Sequence, residues 1–350
     1  MFQKNQNTWI VILHLYTTRL DQNNSKGFIM LALGKTTFPV NIIQGPLAGV
    51  SCAPFRKLTW RYSKPAFSCT EMISCKTLLY QSAFSQKRFT KIDPEEGPVC
   101  FQLAGNNPQE LAEATKIVTT LGANLIDLNC GCPVKKIRRK GAGSSLLANT
   151  SLLYQLIKAM KDNTHVPISI KIRIDGNSDD AFNRNIATVI EDAGANFLVV
   201  HGRHWTENYE TPCHYSDIAF FVNELNIPVI GNGDISCLTS LKKMLATGCA
   251  GVMISRAGVG QPWLIRQLIE EMQENIFLLP SNKEIGSIFV EHVTELAELL
   301  GNEMFAIIQA RKLAKYYARR LETKTLFCTM INNCKNLPDL INICMQHFEI

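Results

Sequence analysis

No apolar run in this sequence approaches the roughly 18–20 residues that a helix needs to cross a bilayer, so no membrane association is expected. The longest N-terminal candidate, Trp9 to Tyr16, is short and interrupted by His14. Behind it, Thr17-Thr18-Arg19-Leu20-Asp21 offers no small-residue cleavage site, which argues against a secretory leader. Charge is sparse, at 19% of residues, and the net balance is only +6, so the chain lacks the basic excess of a histone-like protein. A polyanionic partner is tolerated but not demanded. No solenoid repeat and no low-complexity tract occurs. Cysteine is not scarce, yet its 12 copies follow no repeated spacing over 350 residues. That excludes the disulfide framework of a small secreted domain and fits a reducing cytoplasm. Cys130-Gly131-Cys132 likewise has no second Cys or His pair at matching spacing, so no metal is expected.

What is present is enough apolar material, 46% of residues, for one core of barrel size with a smaller domain appended. Residues 1–29 carry no period, and residues 1–36 read as an unstructured extension with Met30 as the working initiator. From Phe38 the chain alternates short β-branched runs with amphipathic stretches, the mark of βα units around a parallel sheet. Eight strand candidates follow: Asn41-Gln44, Ala66-Cys69, Val99-Leu103, Leu125-Asn129, Ile168-Arg173, Phe197-His201, Pro228-Asn232 and Gly251-Ser255. Pro108 to Thr120 and Ser151 to Asp162 show the apolar period of about 3.6 expected of helices lying on a sheet. After Trp263 the pattern becomes helical throughout, broken at Gly301-Asn302 and Asn336-Leu337-Pro338. The expectation is an α/β fold: a (β/α)8 TIM barrel over residues 37–275 and a small all-helical domain over 283–350. A doubly wound open sheet is the alternative, but Gly45-Pro46-Leu47-Ala48-Gly49 is not its Gly-rich phosphate turn.

In such a barrel the chemistry sits at the carboxyl ends of the strands. There the candidates carry Gln102, then Asn129 followed by Cys130-Gly131-Cys132-Pro133, then Lys171 and Arg173, His201-Gly202-Arg203, Asn232-Gly233-Asp234, and Ser255-Arg256. Singly, each has a structural explanation. Together, a Gln, a Lys and a His converging on one mouth, with Gly-containing turns after the last strands, suit a flavin mononucleotide. Backbone N–H groups and Arg256 would hold its phosphate. Lys171 would face the N1/O2 edge, where negative charge collects on reduction, and Gln102 the O4/N3 edge.

The motif series resembles the tRNA-dihydrouridine synthases, the bacterial B-type subfamily above all, from about Phe38 to Arg320. Gln44-Gly45-Pro46-Leu47-Ala48-Gly49-Val50 is similar to the family's Leu-Ala-Pro-Met-Ala-Gly-Val, and Thr70-Glu71-Met72 follows the second strand. Asn129-Cys130-Gly131-Cys132-Pro133 resembles its most specific run, Asn-Met-Gly-Cys-Pro. Lys171-Ile172-Arg173, His201-Gly202-Arg203, Gly231-Asn232-Gly233-Asp234-Ile235 and Arg256 through Gln261-Pro262-Trp263 follow in the family's order. The resemblance implies that Pro46, Leu47, Ala48, Gln102, Lys171, His201, Asn232, Gly233, Asp234, Ser255 and Arg256 bind FMN, that NADPH (or NADH) reduces it, and that Cys132 is the proton donor. Leu47 and Cys130 stand where the family usually has Met, and Cys130 is expected to pack inward. Ser255 replaces a usual Gly and is expected to crowd the phosphate approach. His204-Trp205 stands in place of Thr-Arg.

Reducing the uracil C5–C6 bond takes a hydride at C6 and a proton at C5. A cysteine thiol, with an ordinary pKa of about 8.5, is mostly protonated at neutral pH and can donate. Pro133 restricts the backbone before it, and Asn129 is expected to present its amide to the uracil edge. Beside Cys132, Lys135, Lys136, Arg138, Arg139 and Lys140 make five basic residues in six, placed where a polyanion must pass. Arg311, Lys315 and Arg319 fall at i, i+4, i+8 of a tail helix and are expected, with Arg173 and Arg203, to contact tRNA. The alternative for the tail is charge complementarity with the acidic stretch holding Glu291, Glu295, Glu298 and Glu303. No obligate protein partner is evident, and a monomer is expected. Two other functions fit parts of the pattern: a flavin oxidoreductase of the dihydroorotate or dihydropyrimidine dehydrogenase kind, and a non-catalytic RNA-binding barrel.

Overall fold

The computed structural model describes residues 30–174 and 180–350, so the extension expected over residues 1–29 lies outside it. The rest of that expected extension is not irregular. β1 (Leu31–Leu33) and β2 (Thr36–Phe38) pair antiparallel across Gly34-Lys35. Gly34 adopts φ 62, which a residue without a side chain supplies at no steric cost.

Nine further strands follow: β3 (Ile42–Gln44), β4 (Ser68–Cys69), β5 (Ile73–Ser74), β6 (Val99–Ala104), β7 (Leu125–Cys130), β8 (Ile168–Ile174), β9 (Phe197–His204), β10 (Val229–Asn232) and β11 (Gly251–Ile254). All but β5 form a ring of eight parallel strands closed by the β4–β6 and β3–β11 pairings; β5 extends the edge of β6. Each expected strand is present, with ends shifted by at most three residues, the largest shift being at the end of β9.

The two-residue period of a strand sorts its side chains. On β7, Ile126, Leu128 and Cys130 point outward into the layer shared with the helices, while Leu125 belongs to the barrel interior with Ile43, Phe67, Cys100, Phe197, Val199, Ile230 and Met253. Leu31, Leu33 and Phe38 of the hairpin join that interior, and Phe38 lies 5.4 Å from Phe67, so the hairpin plugs one end of the barrel. The polar residues of the other end stand in the same inward rows.

Four longer helices follow the barrel: Asn282–Leu300, Glu303–Tyr317, Lys324–Asn333 and Leu337–Phe348. Their starts are written in the sequence. Ser281 and Glu284 form a capping box, and Asn302 and Asn336 accept from the N–H groups three residues on. Their apolar faces close on Phe289, Tyr317, Phe327 and Phe348, a core that also takes in Leu58, Val259 and Trp263 of the barrel. The acidic stretch does not complement the basic stripe of the next helix. Glu295 pairs with Lys57 at 2.9 Å and Glu291 with Arg61 at 2.6 Å, both on the barrel helix Ala53–Ser63. Gly260 marks the seam: at φ 70, a Cβ there would lie 2.6 Å from the backbone carbon of Tyr316.

Candidate active site

The open end of the barrel is a cavity of about 900 Å³, within the roughly 300–1,000 Å³ typical of small-molecule sites. Pro46, Leu47, Ala48, Gln102, Lys171, His201, Asn232, Gly233, Asp234, Ser255 and Arg256 all line it, as do Cys132, Asn129, Arg173 and Arg319. Strand register explains the convergence. Gln102 lies beside Asp127, Asn129 beside Lys171, Arg173 beside His201, and His201 beside Asn232.

Lys171 Nζ donates to Asn232 Oδ1 at 2.9 Å, and Asn232 Nδ2 donates to the Met253 carbonyl at 2.8 Å. Burial pushes the Lys171 ammonium down to about 8, with the Asp127 carboxylate pulling the other way. Burial likewise raises Asp127 to about 6, against hydrogen bonds from Ser169 and Gln102 and the charge of Lys171. Burial, then Lys171, Arg173, Arg203 and Arg256, hold His201 far below the usual imidazole range. Its ring is neutral at physiological pH, one nitrogen a donor and the other an acceptor.

Cys132 is held at both ends of its own peptide. Its N–H donates to Asn129 Oδ1 at 2.9 Å, and its carbonyl accepts from Ser144 N at 3.1 Å. Asn129 Nδ2 donates to Gln102 Oε1 at 2.9 Å. The Asn129 amide therefore joins Gln102 of β6 to the Cys132 loop, and it lines the cavity. Cys130 is fully buried in the outer core, as expected.

Ser255 is accommodated by its neighbour: a Cβ at Gly45 would sit 2.6 Å from Ser255 Oγ, and Gly45 has none. Asp234, at the left-handed φ of 51, gives both carboxylate oxygens to Arg203 Nη2, at 2.6 and 2.7 Å, and accepts from Cys213 N at 3.0 Å. Arg203 is 1% exposed and also donates to the Thr211 and Tyr209 carbonyls. Arg173 donates to the His204 carbonyl at 3.0 Å. Both arginines thus brace the loop after β9. That loop carries Tyr209, over which Arg256 lies at 3.6 Å, and Trp205, over which Arg138 lies at 3.1 Å.

Over residues 43–348 the sequence matches the dihydrouridine synthase family. The chain belongs to that family. The match runs through the last helix, beyond the Arg320 at which the recognised motifs end. The chain is 32% identical to tRNA-dihydrouridine synthase B of Vibrio cholerae over 322 residues, 91% of this chain and 99% of that one. It is 34% identical to the Pseudomonas aeruginosa protein of the same name over 312 residues, 88% and 92% of the two chains. A probable tRNA-dihydrouridine synthase 1 of Synechocystis is 32% identical over 327 residues, 91% of this chain and 85% of that one. Among solved structures, a morphinone reductase variant in complex with tetrahydroNAD gives a TM-score of 0.54 at 11% identity, over 71% of this chain and 92% of that one. That is a likeness of barrel fold alone.

In this dihydrouridine synthase family member the basic residues divide. Lys135, Lys136, Arg139 and Lys140 are exposed beside Cys132, and Lys315 is exposed on its helix. Arg311 instead turns inward and donates to the Cys334 carbonyl at 3.0 Å. Arg319 donates to the Val259 carbonyl at 2.7 Å and lines the cavity with Tyr316. The i, i+4, i+8 stripe is not one face toward a ligand. Tyr209 and Asp127 were missed in the sequence. For Asp127 the signal was its place two residues before Asn129, on the same side of the strand.

Proposed function

We propose that this chain reduces uridine in tRNA to 5,6-dihydrouridine, with FMN bound in the barrel mouth, NADPH (or NADH) as electron donor and Cys132 as the acid. The observation that carries this reading is a thiol lining the same cavity as a buried ammonium, a neutral imidazole and a carboxamide, in a chain whose relatives bear that activity in their names. The donor set fits the cofactor. Lys171 keeps two N–H groups beyond the one given to Asn232, as the N1/O2 edge of the ring requires, and Gln102 keeps one hydrogen and one lone pair for the O4/N3 edge. Arg256 at the outer end suits the phosphate, beside the turn of Asn232, Gly233, Asp234 and Ser255, and Pro46, Leu47 and Ala48 close the opposite wall.

Bound there, FMN supplies the hydride that goes to C6 of the pyrimidine. Cys132 Sγ gives its proton to C5 as charge gathers on the C4 carbonyl, and the resulting thiolate regains a proton from water. The uridine must leave its stack to reach this depth. Lys135, Lys136 and Arg139, at the edge where it enters, attract the backbone, and Lys315 adds to that field. Cytoplasmic location and action as a monomer complete the reading.

The test is direct. The purified protein should be yellow, and with NADPH it should introduce dihydrouridine into an unmodified tRNA transcript, read by nucleoside analysis. A yellow protein that reduces free pyrimidines and leaves tRNA untouched would overturn the reading in favour of a small-molecule oxidoreductase. A colourless one that binds tRNA would favour the non-catalytic barrel.

A further inference from the structure

We infer that Asp127 is a positioning residue for Cys132, acting as the obligate acceptor that ends a directed hydrogen-bond chain across the barrel mouth. This rests on the proposed role of Cys132 and deepens it. The chain has four links. Ser169 Oγ donates to Asp127 Oδ1 at 2.6 Å, and Gln102 Nε2 donates to Asp127 Oδ2 at 2.8 Å. Asn129 Nδ2 donates to Gln102 Oε1 at 2.9 Å, and Asn129 Oδ1 accepts from Gly131 N at 3.3 Å and Cys132 N at 2.9 Å. Asp127, Gln102 and Asn129 are 3%, 1% and 8% exposed, so water cannot readily replace any link.

A carboxylate only accepts at one end of the chain and the loop N–H groups only donate at the other, so both ends favour a single direction. Gln102 must turn its NH2 to Asp127, so its oxygen faces Asn129. Asn129 must then offer its NH2 to Gln102, which leaves its oxygen for the two loop N–H groups. With Gln102 reversed, its NH2 would face the Asn129 NH2, and with Asn129 reversed as well, the Asn129 NH2 would face the Cys132 N–H, donor against donor. No other charged group in the mouth enforces this: the Lys171 ammonium is bonded to Asn232 on the next strands. The far side of the loop is already fixed, because a Cβ at Gly143 would lie 2.8 Å from the Cys132 carbonyl oxygen. One buried carboxylate therefore sets both the end of Gln102 that remains for a ligand and the place of the Cys132 thiol.

Asp127→Asn tests this, because an amide at 127 can turn either its oxygen or its NH2 to Gln102, and the NH2 opposes the direction that the loop requires. The first readout is the iodoacetamide alkylation rate of Cys132, followed on its tryptic peptide in flavin-free protein. It should change about three-fold or more as the loop samples two states. In single turnover, tRNA reduction should fall about ten-fold further than flavin reduction by NADPH, since small misplacement of a reacting group is costly. Adding Gln102→Glu to Asp127→Asn places an obligate acceptor opposite Asn129 again and should restore the wild-type alkylation rate, a rescue that loss of packing would not show. Should Asp127→Asn alone fail to fold, the double variant against Gln102→Glu alone makes the same comparison. An alkylation rate within about two-fold of wild type in folded Asp127→Asn, or a double variant that stays altered, overturns the inference. If Cys132→Ala still reduces tRNA at full rate, the proposed acid is wrong, and alkylation alone judges the chain.

Discussion

At the barrel mouth Lys171 and Asp127 are buried among side chains that are themselves directed by hydrogen bonds, whereas in the helical domain Arg311 and Arg319 spend their guanidinium groups on the carbonyls of Cys334 and Val259. The mouth keeps charge unspent at a cost in desolvation. The helical domain spends it on holding itself together and to the barrel, leaving Lys315 for solvent. Basic residues at regular helical spacing are thus divided between packing and solvent, while polar residues at the strand ends converge on one cavity.

The sharpest test of the mouth is Cys132→Ala. It should leave a folded yellow protein that NADPH reduces normally, yet lower tRNA reduction by about 10² to 10⁴, the usual worth of a general acid. Cys130→Ala, two residues away in the outer core, should lose stability and keep its proton delivery. If the two variants exchange these outcomes, the acid is misassigned.

Two buried groups, one in each region, should answer acid with opposite sign. His292, buried against Tyr317 Oη at 2.9 Å, is held down to about 4 by burial, below its ordinary 6.5. Between those values the unfolded chain binds the proton and the fold refuses it, so helical-domain stability should be full above pH 6.5 and fall toward pH 4. Asp127 runs the other way: its carboxyl is raised from 3.8 to about 6, so its contribution declines as pH rises through that interval. Hydrogen exchange across pH 4 to 7 should show the helices packed around His292 losing protection in acid. His292→Phe should flatten that dependence, and an unchanged profile would assign it elsewhere.

Gly260→Ala should destabilise the seam by about 1–3 kcal/mol, both through its positive φ and through the 2.6 Å approach to Tyr316. Thermal unfolding should then separate into two transitions; a single unshifted transition would show that the seam is softer than its geometry. The smallest effect belongs to Lys315→Gln, which should reduce the salt slope of tRNA binding by about one and leave stability alone. Arg311→Gln should do the reverse, lowering stability with the slope unchanged.

Much of this was legible in the sequence because the barrel writes itself twice, once in short apolar runs and again in the polar residue that ends each. Gln102, Lys171, His201 and Asn232 could be placed before any coordinates. Other features could not. The β1–β2 hairpin is only three residues a side, too short for periodicity, though Gly34-Lys35 between two apolar-ended triplets is a two-residue turn signal. Asp127 hides in Leu125-Ile126-Asp127-Leu128, which reads as core until its inward row is counted. Arg311 and Lys315 share one helical stripe, and the sequence does not say where its covered edge lies. The loop holding Trp205 and Tyr209 is shaped by Arg203, Arg173 and Asp234 from three separate strand ends, contacts with no local signature.

Tyr316 and Arg319 come from the helical domain yet line the barrel cavity, and Arg319 is fastened to Val259 in the loop after β11. The wall of the pocket is thus a joint product of two folding units, and neither can be exchanged alone. A chimera that grafts these helices onto another family member's barrel, or borrows helices for this one, redraws the cavity even if every barrel residue is preserved. Inheritance of the two parts as one block, as the single match from 43 to 348 displays, is the arrangement that such a shared wall favours.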